Sequence, residues 1–229
     1  MKRVGWAALA LVCMLVACER TSDGVPVAGE QPTAATSSVP SATPRPTQGA
    51  DQSAPGVVLT TRAPVPPNTI ACSQPNKPAV RMTAEVEDPH APRITVGVPE
   101  GWSMTAGSGD VGGRLEGPRG MWATVTIAQT QLDPTAAFRK YADGLMEKSA
   151  VSSVSIMPGE LCGYSGQKLM GAWSDTPQNA VEFEDRIAHV WTNSGNSYLV
   201  AVHVEAPTGT PGFDAASSLL TEDFEIGLP

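Results

Sequence analysis

Long apolar runs, aromatic residues and clusters of positive charge are scarce in this chain of 229 residues. The main apolar stretch occupies positions 4–17, which is 14 residues, and is too short for the helix of about 20 residues that spans a bilayer. No aromatic residue lies between Trp6 and Trp102, so the chain between them has little with which to build a core. With 23 acidic and 15 basic residues and no basic cluster, the chain lacks the charge by which proteins bind nucleic acids or anionic membrane surfaces.

The short motifs by which catalytic sites are commonly recognised are also absent from the sequence. It has three histidines, His90, His189 and His203, and neither Gly-x-Ser-x-Gly, His-Glu-x-x-His nor a phosphate-binding glycine loop. The glycines of "TAGSGDVGGRLEGPRGM" interleave with acids and precede no helix, which indicates a flexible hairpin loop. His90 lies between two prolines, a setting typical of an exposed turn. We therefore expect a non-catalytic protein without a metal or cofactor.

The first 18 residues carry the pattern of an export signal. Lys2 and Arg3 precede the apolar stretch, which ends in Leu15-Val16-Ala17-Cys18 and has the length of a signal-peptide core. This ending is similar to a bacterial lipobox. The cysteine of that motif is diacylated on its thiol and becomes the N-terminal residue when the signal peptide is cleaved. We predict a lipoprotein signal peptide over 1–17 and a lipid anchor at Cys18, on the extracytoplasmic face of the cell membrane. An ordinary secretory signal, cleaved after a small residue, is the alternative.

The segment after the predicted anchor has the composition of a linker. Residues 18–68 are rich in Ser, Thr, Ala, Pro and Gln, and none of them is aromatic. Such a segment cannot bury enough apolar surface to offset the conformational entropy lost on ordering. We predict a disordered stalk over 18–68, partly extended by its prolines, whose threonines leave O-glycosylation open. The remaining residues, 69–229, suffice for a single globular domain.

Two cysteines, Cys72 and Cys162, lie in the predicted domain, 90 positions apart. An even pair of cysteines in an exported chain is typical of a disulfide. In the chain-entropy picture, closing a loop of that length removes about 4.6 kcal/mol of unfolded-state entropy. Two isolated cysteines without a neighbouring histidine pair are poorly suited to zinc. We therefore predict a disulfide between Cys72 and Cys162.

Most of the domain alternates apolar and polar residues with the period of a β-strand, as in "RITVGVPEGW" and "MWATVTIAQT". Further strands are predicted near 151–157, 163–173, 180–192 and 197–206. One amphipathic helix begins after Asp133, an N-cap followed by Pro134, and a second lies near "FDAASSLLTEDF". The pattern predicts an α+β fold, an antiparallel sheet with helices packed on it.

The last two strands can be paired from the sequence. Ser194-Gly195 suits a two-residue hairpin loop, and the register that follows places the apolar residues of both strands on one face. In this register His203 lies opposite Arg186 on the polar face, as a surface pair. Asp185 and His189 lie on the apolar face, about 13 Å apart along one strand, too far to form a catalytic dyad.

The order of these features resembles a known family. A lipobox, a Pro/Thr-rich stalk, a strand ending in "VPEGW", the helix start "LDPTAAFRKYADGL" and a closing meander with a short helix are similar to the mycobacterial LpqN/LpqT lipoproteins. The resemblance covers the larger part of the chain and rests on structural, not catalytic, signatures. It implies a PsbP-like α/β/α sandwich, in which helices flank an antiparallel sheet. A shared fold does not by itself imply a function.

Two functions follow from these observations. We expect a surface lipoprotein whose domain binds a protein, glycan or lipid ligand. Exposed aromatics such as Trp102, Trp122 and Trp173 are the contact candidates, although ordinary core packing is the simpler interpretation of at least two of them. The alternative is a cell-envelope hydrolase with a dispersed active site, in which His189 or His203 meets a nucleophile from a distant segment.

Overall fold

The computed structural model describes residues 54–60, 62–74, 78–176 and 178–229. The predicted signal peptide, Cys18 and most of the predicted stalk lie outside these residues. The strands are β1 (Ile70–Cys72), β2 (Arg81–Ala84), β3 (Arg93–Gly97), β4 (Ser103–Ala106), β5 (Val111–Glu116), β6 (Trp122–Thr130), β7 (Val151–Pro158), β8 (Ser165–Ser174), β9 (Val181–Trp191), β10 (Ser197–Pro207) and β11 (Glu225–Gly227). The helices are α1 (Pro134–Met146) and α2 (Phe213–Thr221), with a 3-10 turn at Pro118–Gly120. Neither of these two helices is long and apolar enough to cross a bilayer.

Two antiparallel sheets form the domain. The large sheet has the strand order β4-β5-β6-β10-β9-β8-β7, and the small sheet has the order β1-β11-β3-β2. Helix α1 packs on one face of the large sheet, against β7, β8 and β9. Helix α2 packs against β9 and β10, and β2 of the small sheet contacts β5. The fold is therefore α+β, as the sequence predicted.

The described part of the chain has two apolar clusters. The larger cluster includes residues of both sheets and of α2, among them Ile94, Val125, Val202, Phe213 and Ile226. The smaller cluster joins α1 to the large sheet and contains Phe138, Leu145, Leu169, Phe183 and Ile187. Since burying one such side chain contributes about 1.5–3 kcal/mol, these clusters hold the layers of the domain together.

Helix α1 forms where the sequence predicted it. The Asp133 side chain accepts a hydrogen bond from the Ala136 N–H at 3.0 Å, and Pro134 occupies the first helical position, where its missing N–H costs nothing. Phe138 and Leu145 are buried on one face of the helix. The cap therefore fixes where the helix begins, and the spacing of its apolar residues decides which face meets the sheet.

The prediction that the glycine-rich segment 105–121 is a flexible hairpin loop is wrong for residues 111–116, which form strand β5, while residues 107–110 do connect β4 to β5. A Cβ on Gly113 would lie 2.5 Å from the Met82 side chain, and one on Gly112 would lie 3.1 Å from the Cβ of Ala84. These glycines are needed because β2 crosses close above β5. The sequence pattern was interpreted as flexibility, but glycine is also selected where two strands approach each other closely.

The hairpin between β9 and β10 has a three-residue loop, so the predicted register is wrong by one residue. The Gly195 N–H donates to the Thr192 carbonyl at 2.9 Å, and Gly195 has a φ of 83°, as in a type I turn closed by a G1 bulge. When one strand slips by one residue against the other, each side chain shares its face of the sheet with a different set of partners. His203 therefore lies opposite Asp185, not opposite Arg186.

The predicted boundary between stalk and domain at residue 69 also needs correction. Residues 54–60 and 62–68 are described, and part of them lies against the domain. The Gly56 carbonyl accepts from the Gly166 N–H at 2.9 Å, and Val57 packs against the smaller apolar cluster. A Cβ on Gly56 would lie 1.8 Å from the Gly166 oxygen. Composition concealed this segment because its attachment uses backbone hydrogen bonds more than apolar area.

The structure contains the predicted disulfide. Cys72 and Cys162 are bonded, with their Cα atoms 5.5 Å apart. The bond links the end of β1 in the small sheet to the turn between β7 and β8. It therefore joins the two sheets covalently.

Candidate ligand-binding site

A cavity of about 590 Å³ lies between α1 and the part of the large sheet formed by β5, β6 and β10. This volume is within the range of small-molecule binding sites. The helix lines it with residues spaced three and four apart, which share one face, namely Ala137, Lys140, Tyr141, Gly144 and Leu145. Lys148, just beyond the end of the helix, also lines it. The sheet contributes Trp122, Thr124, Thr126, Ala128, Leu199 and His203, among others.

Gly144 lines the cavity on the helix side. It lies in the interior of α1, where glycine costs about 1 kcal/mol relative to alanine. A Cβ placed on Gly144 would meet no atom within 4 Å, so close packing does not explain this residue. Gly144 is exposed and lines both the cavity and a neighbouring surface depression, so a larger side chain at this position would have open space around it.

Cross-strand pairing places the charged groups in one row. Arg114 of β5 lies opposite Thr124 of β6, Thr124 lies opposite His203 of β10, and His203 lies opposite Asp185 of β9. Directly opposite residues of antiparallel strands have neighbouring side chains on the same face. One end of the cavity is therefore polar.

The lining at the other end is mostly apolar and includes Val111, Ala128, Leu132, Ala137 and Leu199. The lining residues of β6 extend from Trp122 to Thr130. From Thr124, in the polar row, to Thr130 the strand advances about 20 Å. The cavity is thus elongated, with a polar and an apolar end.

A buried ion pair lies at the polar end. The Nδ1 of His203 lies 2.5 Å from Oδ1 of Asp185, and its Nε2 lies 3.1 Å from Oε2 of Glu205. Asp185 is 0 % and His203 6 % exposed. Burial disfavours a charged imidazole, but the carboxylate of Asp185, helped by that of Glu205, outweighs burial and raises the pKa of His203. An imidazolium can donate to both carboxylates at once.

Asp185 has further polar neighbours. Burial raises the pKa of its carboxyl group, while the charges of His203 and Lys148 act in the opposite direction. Burial and the nearby Asp185 charge raise the pKa of the Tyr141 hydroxyl well above its ordinary value. Oδ2 of Asp185 has no hydrogen-bond partner among the described residues. Lys148 and Tyr141, which line the cavity, are thus electrostatically coupled to the buried pair.

Two indole rings enclose the imidazolium. The Trp122 ring lies 5.3 Å from that of His203, and its N–H donates to Oε1 of Glu205 at 3.0 Å. The Trp173 ring lies 5.9 Å from the His203 ring on a nearly parallel plane, and the Lys148 ammonium lies 4.4 Å from the centre of Trp173. Cation–π attraction stabilises both cations in this position.

The structure separates the other residues that the sequence singled out. Trp102 packs against the larger apolar cluster, away from the cavity lining. Nε2 of His189 lies 3.0 Å from the Leu132 carbonyl oxygen, so Asp185 and His189 form no dyad, as predicted. His90 is exposed in a turn, also as predicted. Of the three tryptophan candidates, only Trp122 lines the cavity.

His203 was predicted to be a surface residue paired with Arg186, and this is wrong. Because of the register, His203 is buried against Asp185, while Arg186 on the opposite face donates to Asp223 at 2.8 Å. Sequence reasoning also did not identify Gly144 as a site residue. The signal was available, because a glycine inside a predicted amphipathic helix, one residue before the buried Leu145, disfavours the helix without an evident reason.

The hydrogen bonds of the histidines bear on whether either could transfer a proton. A general base needs a free ring nitrogen within reach of the proton it removes, but both ring nitrogens of His203 face carboxylates. Among the described residues, neither His189 nor His203 is hydrogen-bonded to a serine or threonine hydroxyl. No group of three or more His, Cys, Asp or Glu side chains in this part of the chain is arranged to hold a metal ion.

Comparison with known proteins identifies a relative in fold. No protein-family model matches the chain, and no curated protein matches it. Among solved structures, LpqN of Mycobacterium tuberculosis, described as involved in cell envelope biogenesis, matches with a TM-score of 0.51 and 17% identity, over 68% of this chain and 99% of LpqN. At this identity the match shows a shared fold, and it confirms the predicted resemblance to LpqN at that level.

Proposed function

We propose that this chain is a membrane-anchored lipoprotein of the cell envelope whose non-catalytic domain binds a lipid with an acyl chain in the cavity beneath α1. The observation that carries the proposal is the elongated, largely apolar cavity between α1 and the sheet, to whose lining Gly144 contributes no side chain. Empty apolar volume loses the packing contacts that a filled core would have. A ligand that fills this space would restore those contacts.

The envelope location has two supports. The lipobox predicted at Leu15–Cys18 would anchor the chain on the extracytoplasmic face of the membrane, and the related fold of LpqN belongs to a protein involved in cell envelope biogenesis. The finer architecture is part of the same proposal. Helices on opposite faces of the large sheet, with the small sheet beside α2, are consistent with a PsbP-like α/β/α plan.

A lipid fits the cavity better than a glycan or a protein. Glycan sites need many hydrogen-bonding groups, because every buried hydroxyl of the ligand must find a partner. Toward its apolar end the cavity offers the side chains of Thr126, Gln129 and Thr130 among mostly apolar neighbours, fewer partners than a buried sugar would need. A protein ligand would need a large exposed patch, whereas these apolar residues line a partly open groove between helix and sheet.

One observation favours the alternative, a cell-envelope hydrolase. The His203–Asp185 pair has the hydrogen bond that orients a catalytic histidine. However, Glu205 engages the second ring nitrogen, which a hydrolase needs for its nucleophile. We therefore propose that the pair places charge at the polar end of the cavity. Hydrolysis of acyl esters by the full chain that is abolished in His203→Gln would support the hydrolase instead.

The proposal is tested by filling the cavity from the helix side. Gly144→Trp places an indole in the open space, and we expect it to weaken binding of a fluorescent fatty-acid analogue to the purified full chain by more than about tenfold, that is 1.4 kcal/mol. Gly144→Ala is the matched control, because it should bind as the wild type does and stabilise α1 by about 1 kcal/mol. Equal binding by Gly144→Trp, or no binding by the wild type, would contradict the proposal. Mass spectrometry of an organic extract of the purified chain would then identify the natural lipid.

A further inference from the structure

The cavity gathers positive charge within an acidic protein. Its lining contains Arg114, Lys140 and Lys148 but no aspartate or glutamate, although the chain has 23 acidic and 15 basic residues. None of these three cations forms an ion pair within the part of the chain that the structure describes. Their charges therefore remain available to a ligand.

The acids behind the cavity do not cancel this charge. Asp143 and Glu147 share a neighbouring depression with Lys140, but among the described residues neither forms an ion pair with it. The carboxylates of Asp185 and Glu205 both face ring nitrogens of His203. Both carboxylates are engaged by the imidazolium. Glu116 is exposed one row from Arg114 and is not part of the lining.

Arg114 and Lys148 lie toward the polar end of the cavity, away from its apolar end. Arg114 belongs to the same cross-strand row as His203, and Lys148 lies over Trp173 beside that row. Leu199 and Leu132 lie toward the other end. A molecule with an anionic head and an acyl tail would match both ends in one orientation.

We infer that the ligand is an anionic amphiphile whose carboxylate or phosphate lies between Arg114 and Lys148 and whose acyl chain extends toward Leu199. This inference rests on the proposed function, since it specifies the head group of the lipid in that cavity. Arginine binds either anion through two parallel N–H donors, and lysine adds a point charge. The overall acidity of the chain still disfavours binding to an anionic membrane surface, so the cavity would take single molecules.

The test compares head groups at constant chain length. Tetradecanoate, myristoyl lysophosphatidic acid and the neutral monomyristoylglycerol compete with a fluorescent acyl probe on the full chain. We expect both anions, or one of them, to bind about tenfold more tightly than the neutral lipid. The anion with the higher affinity shows whether the head group comes from a fatty acid or from a lysophospholipid.

Charge reversal assigns the effect to the cavity. Lys148→Glu should weaken binding of the anions by about tenfold and leave the neutral lipid unchanged, and Lys148→Gln should give a smaller loss in the same direction. Arg139→Glu is the matched control, because Arg139 is an exposed cation of α1 outside the lining. Equal affinities for all three lipids, unaffected by Lys148→Glu, would overturn the inference and leave the proposed function standing. Binding of none of the three would overturn both.

Discussion

The buried Asp185–His203 pair provides the sharpest test of the site. Asp185→Asn preserves the size of the side chain and removes the charge that faces Nδ1 of His203 at 2.5 Å. Removing one partner of a buried ion pair costs about 3–5 kcal/mol. Since Glu205 continues to hold Nε2 at 3.1 Å, we expect the lower end, about 3 kcal/mol of the free energy of unfolding.

The same pair determines a pH dependence. Because Asp185 raises the pKa of His203 in the folded state, the folded protein keeps a proton that the unfolded chain releases above about pH 6.5. This stabilisation is fully present below about pH 6.5 and is lost as the pH rises through the raised pKa. The raised pKa of Asp185 has the same sign in the acid range. Stability should therefore fall as the pH rises above neutrality, and Asp185→Asn should flatten this slope.

Urea unfolding of the full chain at pH 6 and pH 8.5 measures both effects. With a slope of about 2 kcal/mol per molar urea, a loss of 3 kcal/mol lowers the midpoint by about 1.5 M at pH 6. Asp110→Asn is the control, because this exposed aspartate should change stability by less than about 0.5 kcal/mol. A midpoint shift in Asp185→Asn as small as that of the control, or an unchanged pH slope, would refute the role assigned to the pair.

Two further predictions concern the disulfide and the anchor. Replacing Cys72 and Cys162 together by serine should lower the free energy of unfolding by about 2–5 kcal/mol, because the unfolded chain gains the entropy of a loop of 90 residues. Urea unfolding measures this change, and equal midpoints with and without the bond would argue against it. Cys18→Ala should move the protein from the membrane fraction to the soluble fraction on cell fractionation, because the thiol that carries the acyl chains is lost. A membrane-retained Cys18→Ala protein of mature size would exclude lipidation at Cys18.

Local signals predicted the regular elements well. Asp133 and Pro134 mark the start of α1 because capping depends only on neighbouring backbone groups. The alternation of β9 and β10 identified both strands because a strand exposes its residues with a period of two. These signals act within one element, so they do not depend on what packs against it.

The site depends on how elements pair, and local signals could not determine that. Ser194-Gly195 suits a two-residue hairpin loop, but glycine in the left-handed region also closes the three-residue loop that the chain adopts. The polar pattern did not decide between them, because β9 has ionisable residues on both faces, Asp185 on one and Arg186 on the other. The choice of loop alone moved His203 from the expected surface to the buried row.

Two unfavourable features of the domain coincide at the cavity. Gly144 weakens α1 by about 1 kcal/mol, and the buried charges of Asp185 and His203 carry a desolvation penalty that their attraction only partly offsets. A sequence selected for stability alone would have alanine in the helix and apolar residues in the sheet. Departures from local consistency are expected where function requires them. Gly144 and His203 both line the same cavity, beside the cations Arg114, Lys140 and Lys148, which is the arrangement that the proposed function would require.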